Sequence, residues 1–182
     1  KLKLSVSNKI KNGDYYKNKV LYGEDGTKLS EENFKNGKLH GKQVEYHENG
    51  NIHMEYNYLN GDLHGMYKTY HENGNLNTAT PFKNGKVDGV AREKREDGSL
   101  KSEAEYSKGR EHGVSRTYYE NGNIQRLIHN VHGDLHGMYK TYHENGNLDE
   151  EISYEKGYVH GPVRSYYENG ILKKEFNAVK GD

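Results

Sequence analysis

Eleven His and 17 Tyr are the residues of this 182-residue chain best suited to chemistry or recognition. Five of the His fall at 40, 64, 112, 136 and 160, separated by multiples of 24, each directly before a Gly. Read functionally, that column is a metal ladder of imidazoles. Equivalent residues two β-strands apart are separated by about 9–10 Å. Zn–N bonds are about 2.0–2.1 Å, so neighbours would share an ion only by leaning together. The other reading is a loop His that satisfies local backbone groups, and it is the one carried forward. No metal and no cofactor are expected.

Acid–base chemistry fares no better. Glu48, Glu72, Glu120 and their equivalents recur once per repeat, whereas an active site needs an asymmetric cluster. No Ser lies in a nucleophile elbow, and no phosphate-binding loop occurs. The expectation is a non-enzyme. Recognition has better candidates in the column Tyr46, Tyr70, Tyr118, Tyr142 and Tyr166. Tyr presents a large, rigid contact at low entropic cost. A neighbouring column, His71, Tyr119, His143 and Tyr167, continues from His47. Interchange of His and Tyr there points to flat amphipathic packing rather than proton transfer. The same Tyr could instead form a stabilising ladder over neighbouring strands, and both roles can hold together.

Composition limits what can position these residues. Leu, Ile, Val and Phe number 32, fewer than a conventional layered core requires. Lys+Arg and Asp+Glu are both 27, so self-repulsion does not favour disorder, and phosphate-driven nucleic-acid binding is a poor fit. There is no Cys, hence no disulfide framework or thiolate site. No window approaches the roughly 20 apolar residues of a membrane-spanning helix. The first residue is Lys1, consistent with either a cleaved leader or a trimmed chain.

Repetition supplies the architecture. Glu-(Asn/Asp)-Gly recurs every 24 residues, ending at Gly26, Gly50, Gly74, Gly98, Gly122, Gly146 and Gly170. These seven Gly are expected to be structural turns, the two-residue type I′ closures of seven hairpins. A second Gly series runs from 13 to 181, and a third from 41 to 161, also in steps of 24. The expected organisation is a capping strand over 1–12, then seven repeats at 13–36, 37–60, 61–84, 85–108, 109–132, 133–156 and 157–180. Residues 181–182 read as the start of a further repeat. Within 61–84, Gly61–Gly65 reads as a loop, Met66–His71 as a strand, Asn73-Gly74 as a type I′ turn and Leu76–Lys83 as the return strand. The fold class is all-β: an elongated, solenoid-like antiparallel meander of stacked 24-residue β-hairpins.

A two-residue turn sets Tyr46 across from His53 and Val44 across from Glu55. One face then carries the Ile52, Leu76, Leu100, Ile124, Leu148, Leu172 column as the packed seam. The other carries the Tyr46 column beside the cross-strand pairs Arg92/Glu103, Lys140/Glu151 and Arg164/Glu175. A one-residue bulge would exchange faces locally. Gly61–Leu76 is identical to Gly133–Leu148. That identity implies either a recent three-repeat duplication or a demand for the same surface twice.

The pattern Tyr154, Gly157, His160-Gly161 and Tyr166-Tyr167-Glu168-Asn169-Gly170 resembles the second class of MORN repeats, over essentially the whole chain. The resemblance implies hairpin stacks that scaffold other proteins, with membrane association in some. Bacterial proteins of this type look like antitoxin components, and others sit at the cell surface. Asp88 and Lys94 depart from the pattern in the fourth repeat. The expected function is a protein-binding scaffold, antitoxin- or inhibitor-like, with a toxin, effector or surface receptor as partner. Such a protein would be cytoplasmic. The alternative is a secreted or surface protein that contacts host or neighbouring cells. A third reading is a nucleic-acid or membrane-surface binder.

Overall fold

The computed structural model describes residues 1–179. The end of the seventh repeat at Lys180 and the residues 181–182 lie outside them. Every described strand ladder is antiparallel, and no described residue is helical. The chain divides into two compact units, Lys1–Val87 with Glu96–Gly98, and Asp88–Arg95 with the residues from Ser99 onward.

The first unit holds β1 (Lys3–Lys11), β2 (Asp14–Tyr22), β3 (Lys28–Lys35), β4 (Lys38–Leu39) and β5 (Gly41–Tyr46). It continues with β6 (Ile52–Leu59), β7 (Asp62–Leu63), β8 (Gly65–Tyr70), β9 (Leu76–Lys83) and β10 (Lys86–Val87). The second unit holds β11 (Gly89–Lys94), β12 (Leu100–Ser107), β13 (Arg110–Tyr118), β14 (Ile124–Val131) and β15 (Asp134–Leu135). Its last strands are β16 (Gly137–Tyr142), β17 (Leu148–Glu155), β18 (Tyr158–Tyr166) and β19 (Leu172–Ala178). Within each unit, strands adjacent in sequence pair as a meander. Repeats are therefore held by their immediate neighbours, as the 24-residue period requires.

Two kinds of turn alternate, and the sequence reading assigned them the wrong way round. Type I′ geometry, with both central residues at positive φ, occurs at Asn12-Gly13, Asn36-Gly37, Asn60-Gly61 and Asn84-Gly85. Lys108-Gly109, His132-Gly133 and Lys156-Gly157 adopt it too. The Glu-(Asn/Asp)-Gly turns do not. Gly26, Gly50, Gly74, Gly98, Gly122, Gly146 and Gly170 have φ of 88°, 86°, 86°, 86°, 87°, 89° and 82°, and the residue before each has no positive φ. Each of these Gly has a left-handed φ, and the type I′ assignment is corrected at all seven.

The closure is the same where its bonds are described. At Asn73-Gly74 the Gly74 N–H donates to the His71 carbonyl at 2.9 Å, and the His71 N–H to the Asn75 carbonyl at 2.9 Å. Gly50 donates to His47 at 2.9 Å, Gly146 to His143 at 2.8 Å and Gly26 to Gly23 at 3.1 Å. The loop is three residues long and ends in a left-handed Gly, the alternative hairpin closure to type I′. Gly61–Gly65 is likewise not all loop, because Asp62 and Leu63 pair with Leu59 and Tyr58. The left-handed Gly65 marks the irregularity before β8.

The longer loop changes the faces near each turn. Val44↔Glu55, Arg92↔Glu103, Lys140↔Glu151 and Arg164↔Glu175 pair as the spacing predicts. A bulge between Glu45 and Tyr46 then places Tyr46 across from Ile52, not His53. Tyr70↔Leu76, Tyr118↔Ile124, Tyr142↔Leu148 and Tyr166↔Leu172 repeat this pairing. The aliphatic column therefore shares a face with the Tyr column, and the expected separation of the two is corrected. The opposite face carries a second set of aromatics. Tyr56 stacks on Tyr67 with centroids 5.5 Å apart, and Phe82 meets Tyr67 edge-on. In the second unit Tyr139 meets Tyr154 edge-on.

Deep burial is sparse. Only Val20, Val44, Val163, Gln43, Asn130 and Glu151 are buried among the described residues. Gln43 completes its bonding by donating to the carbonyls of Asn33 and Gly41 and accepting from the Asn33 N–H. A Gly122→Val substitution places a β-branched residue at φ 87° and should cost about 1–2 kcal/mol. His136→Ala should cost much less. Thermal melts of the two variants decide; the reverse order would give the His column a structural weight that this geometry does not supply.

Candidate functional site

Strand alternation sets Lys68 and Tyr70 on the same face as Glu55, the partner of Lys68 in the ladder. The Glu55 carboxylate accepts from the Tyr70 hydroxyl at 2.8 Å and from Lys68 Nζ at 3.1 Å, and it pairs with Lys42. The same centre recurs in the second unit. Glu103 receives Tyr118 at 3.0 Å and Arg116 at 3.1 Å, with Arg92 at 3.3 Å. Glu151 receives Arg164 at 2.9 Å and Tyr166 at 3.3 Å, with Lys140 at 3.5 Å. Arg164 extends the row to Glu175 at 2.6 Å.

Burial alone would raise the Glu55 carboxyl. Hydrogen bonds from Lys42, Tyr70 and Lys68 override it and hold the group at about 2. Burial, then the Glu55 carboxylate, pushes the Tyr70 hydroxyl up to about 12. The Arg164 hydrogen bond, opposed by burial and aided by Lys140, lowers Glu151. Glu55, Glu103 and Glu151 thus each anchor a centre in which a carboxylate is tied to cations and to one Tyr hydroxyl.

The residues of the expected Tyr column, Tyr46 and Tyr70 in the first unit and Tyr118, Tyr142 and Tyr166 in the second, each lie on this face of their own unit and are half-buried. Tyr70, Tyr118 and Tyr166 donate to the carboxylates. Tyr142 stands where the preceding Glu column carries Leu127. The second expected column does something different. His47 Nε2 donates to the Tyr70 carbonyl, 23 residues on, at 2.9 Å. Tyr119 donates through its hydroxyl to the Tyr142 carbonyl at 2.7 Å, and His143 Nε2 reaches the Tyr166 carbonyl at 3.2 Å. In the divergent fourth repeat Arg95 makes the equivalent bond to the Tyr118 carbonyl. His and Tyr interchange because either ring can deliver one N–H or O–H to the next repeat. His71 is half-buried, and Tyr167 is 52% exposed beside Lys173.

A set of contacts that the sequence reading missed lies in the turns. Asn49 and Asn51 both donate to the Glu72 carbonyl, each at 2.8 Å. Asn73 and Asn75 clamp Glu96 in the same way, Asn121 and Asn123 clamp Glu144, and Asn145 and Asn147 clamp Glu168. The first Asn also accepts from the N–H two residues on, at 2.9 Å in each case. The clamps flank Gly50, Gly74, Gly122 and Gly146, so these turn residues position an inter-repeat contact as well as a reversal. The signal was available: the Asn after Gly recurs at 51, 75, 123 and 147. The column of His that precede Gly sits at the other kind of turn. There His40 and His112 accept the Asn60 and His132 N–H through Nδ1, at 3.4 and 3.3 Å. Among the described residues, no group of three or more His, Asp and Glu is placed to hold a metal ion.

The architecture defines a tandem β-hairpin repeat protein whose two units each carry a polar, aromatic, ion-paired face. Residues 39–60, 63–84, 111–129, 135–156 and 159–179 each match the MORN repeat variant, and the chain belongs to that family. No curated protein matches the chain. MORN repeats bind proteins and membranes and generally serve as non-enzymatic scaffolds. The unmatched fourth repeat is the one in which Asp88 and Lys94 depart from the pattern. Among the described residues, no helix is long and apolar enough to cross a membrane.

Two measurements check this geometry. The Glu55 carboxyl is depressed on folding, so its contribution is present above the unfolded value near 4.5 and is lost as pH falls toward about 2. Glu55→Gln should cost on the order of 2 kcal/mol at neutral pH. Its deficit relative to the parent should vanish in acid, as read by denaturant melts across that window. Separately, Asn123→Ala removes one donor from a shared carbonyl and should cost about 1 kcal/mol. Denaturant melts at neutral pH measure it; a cost near zero would show that the clamp adds nothing to stability.

Proposed function

We propose that the chain is a non-enzymatic protein-binding scaffold whose partner docks on the Tyr face. In its finer form the reading is antitoxin- or inhibitor-like: the scaffold neutralises or tethers a protein partner. The observation that carries it is the recurrence, in each unit, of half-buried Tyr whose hydroxyls are already tied to Glu55, Glu103 and Glu151. A side chain fixed before binding loses little entropy on binding, and an aromatic one makes a strong anchor. The His71, Tyr119, His143 and Tyr167 column borders the same repeats at their turn ends and completes the proposed surface. Chemistry has no comparable support, because Glu55, Glu103 and Glu151, the carboxylates at the centre of this reading, each sit in the same repeated ion-paired arrangement. The Lys and Arg of the face are paired with Glu, which disfavours a nucleic-acid backbone as the partner.

The test uses a partner captured from the source cell with the whole chain as bait, followed by calorimetry. Tyr70→Ala combined with Tyr142→Ala strikes both copies of the duplicated segment. Each truncation should cost on the order of 2 kcal/mol of affinity. Circular dichroism checks that the variant is folded. Unchanged affinity in a folded double variant would remove the Tyr face from the interface.

A further inference from the structure

Nine Asn-Gly pairs punctuate the chain. An Asn followed by Gly can cyclise, because the unhindered Gly amide nitrogen attacks the side-chain carbonyl carbon. Cyclisation needs a mobile Asn side chain and an uncommitted Gly N–H. The structure withholds both at most of these pairs. In the turns at Asn49, Asn73, Asn121 and Asn145, both side-chain atoms are bonded. The following Gly N–H donates back to His47, His71, Tyr119 or His143. Asn169 accepts from the Ile171 N–H, and Gly170 donates to Tyr167. Asn36 is held at both ends, by the Tyr15 N–H and Asp14. Gly61 and Gly85 donate to the Leu39 and Leu63 carbonyls.

Asn12-Gly13 stands apart. Among the described residues, neither the Asn12 side-chain amide nor the Gly13 N–H has a hydrogen-bond partner. Both residues are exposed, and no atom lies within 4 Å of the place a Cβ would take on Gly13. We propose that Asn12-Gly13 is a spontaneous self-modification site with water as the only co-reactant. The Gly13 nitrogen loses its proton and bonds to Asn12 Cγ. The Cγ–Nδ2 bond breaks and ammonia leaves, so a five-membered succinimide forms with no change of oxidation state. Water then opens either carbonyl, giving aspartate or isoaspartate at position 12. The isoaspartate adds a methylene to the backbone of the turn that sets Lys11 across from Asp14. That turn fixes the register of β1, which is exposed along its whole length. The modification therefore loosens the first hairpin and adds a carboxylate to it.

The experiment incubates the whole chain in warm neutral buffer made with heavy-oxygen water, followed by peptide mapping over time. Label should enter at position 12 about tenfold faster than at Asn49, Asn73, Asn121 and Asn145, a difference equivalent to about 1.4 kcal/mol in barrier. In strong urea the pairs should converge to similar rates. Asn12→Lys uses the residue that Lys108 and Lys156 place at the same turn position with positive φ. It should remove the early label and leave the circular dichroism unchanged. Clamped pairs that keep pace with position 12 in the native chain would overturn the proposal. So would a lead for position 12 that persists undiminished in urea, because the cause would then be local sequence rather than the fold.

Discussion

The structure depends on the capture of one repeat's turn carbonyl by side chains of the repeat before it. A chain with so few large aliphatic residues cannot rely on a deep apolar core, and only three apolar residues are buried among those described. Backbone bonds hold neighbouring strands and join the type I′ turns to the adjacent repeat, as from Gly61 to Leu39 and Gly85 to Leu63, whereas those described in the Glu-(Asn/Asp)-Gly turns stay within each turn. The paired Asn amides and the His, Tyr or Arg donors close that gap, because each crosses from one hairpin to the next. Individually such bonds contribute about 1 kcal/mol. Repetition makes them a nearest-neighbour term of the kind that stabilises solenoids.

The same constraint explains how the repeats tolerate divergence. The position that carries His47, Tyr119 and His143 has to deliver one proton to a carbonyl 23 residues ahead. Arg95 meets that requirement, and it also donates to the Leu100 carbonyl at 2.8 Å. The fourth repeat has therefore lost family resemblance while keeping the contact. The Glu column varies in a similar way. Where it carries Ala79 or Leu127 the ion-paired centre is absent, yet the strand ladder passes through unchanged.

Much of this was legible from spacing alone. The 24-residue period located the hairpins, and β9 begins and ends at Leu76 and Lys83 as expected. Mid-strand pairs such as Arg92↔Glu103 followed from the register that a two-residue turn would set, which the longer loop and its bulge together preserve. The failures cluster at one kind of turn. Asn-Gly suits a type I′ turn, and the chain uses it so at Asn60-Gly61. At Asn49-Gly50, Asn73-Gly74 and Asn145-Gly146 the Asn is worth more outside positive φ, because its side chain then joins its own turn to the next. The dipeptide does not report that choice; the second Asn, two residues on, does.

The misplaced aliphatic column follows from the same cause. One extra loop residue shifts pairing beside the turn, and a bulge at His53 restores it further along the strand. The changes of partner are confined to the turn side of the bulge, where Tyr46 meets Ile52 and His47 bonds to Asn51, so the error leaves mid-strand pairs such as Val44↔Glu55 intact. It nevertheless changes what the Tyr face is. With Ile52, Leu76 and Ile124 across from Tyr46, Tyr70 and Tyr118, each phenol has an aliphatic partner at its turn side. Tyr70 and Tyr118 also have a carboxylate at the tip. The rings are fixed from both ends by residues that belong to the fold. A ring held in that way can stabilise the array and still present its remaining surface to a partner, so the structural and recognition roles of the column need not compete.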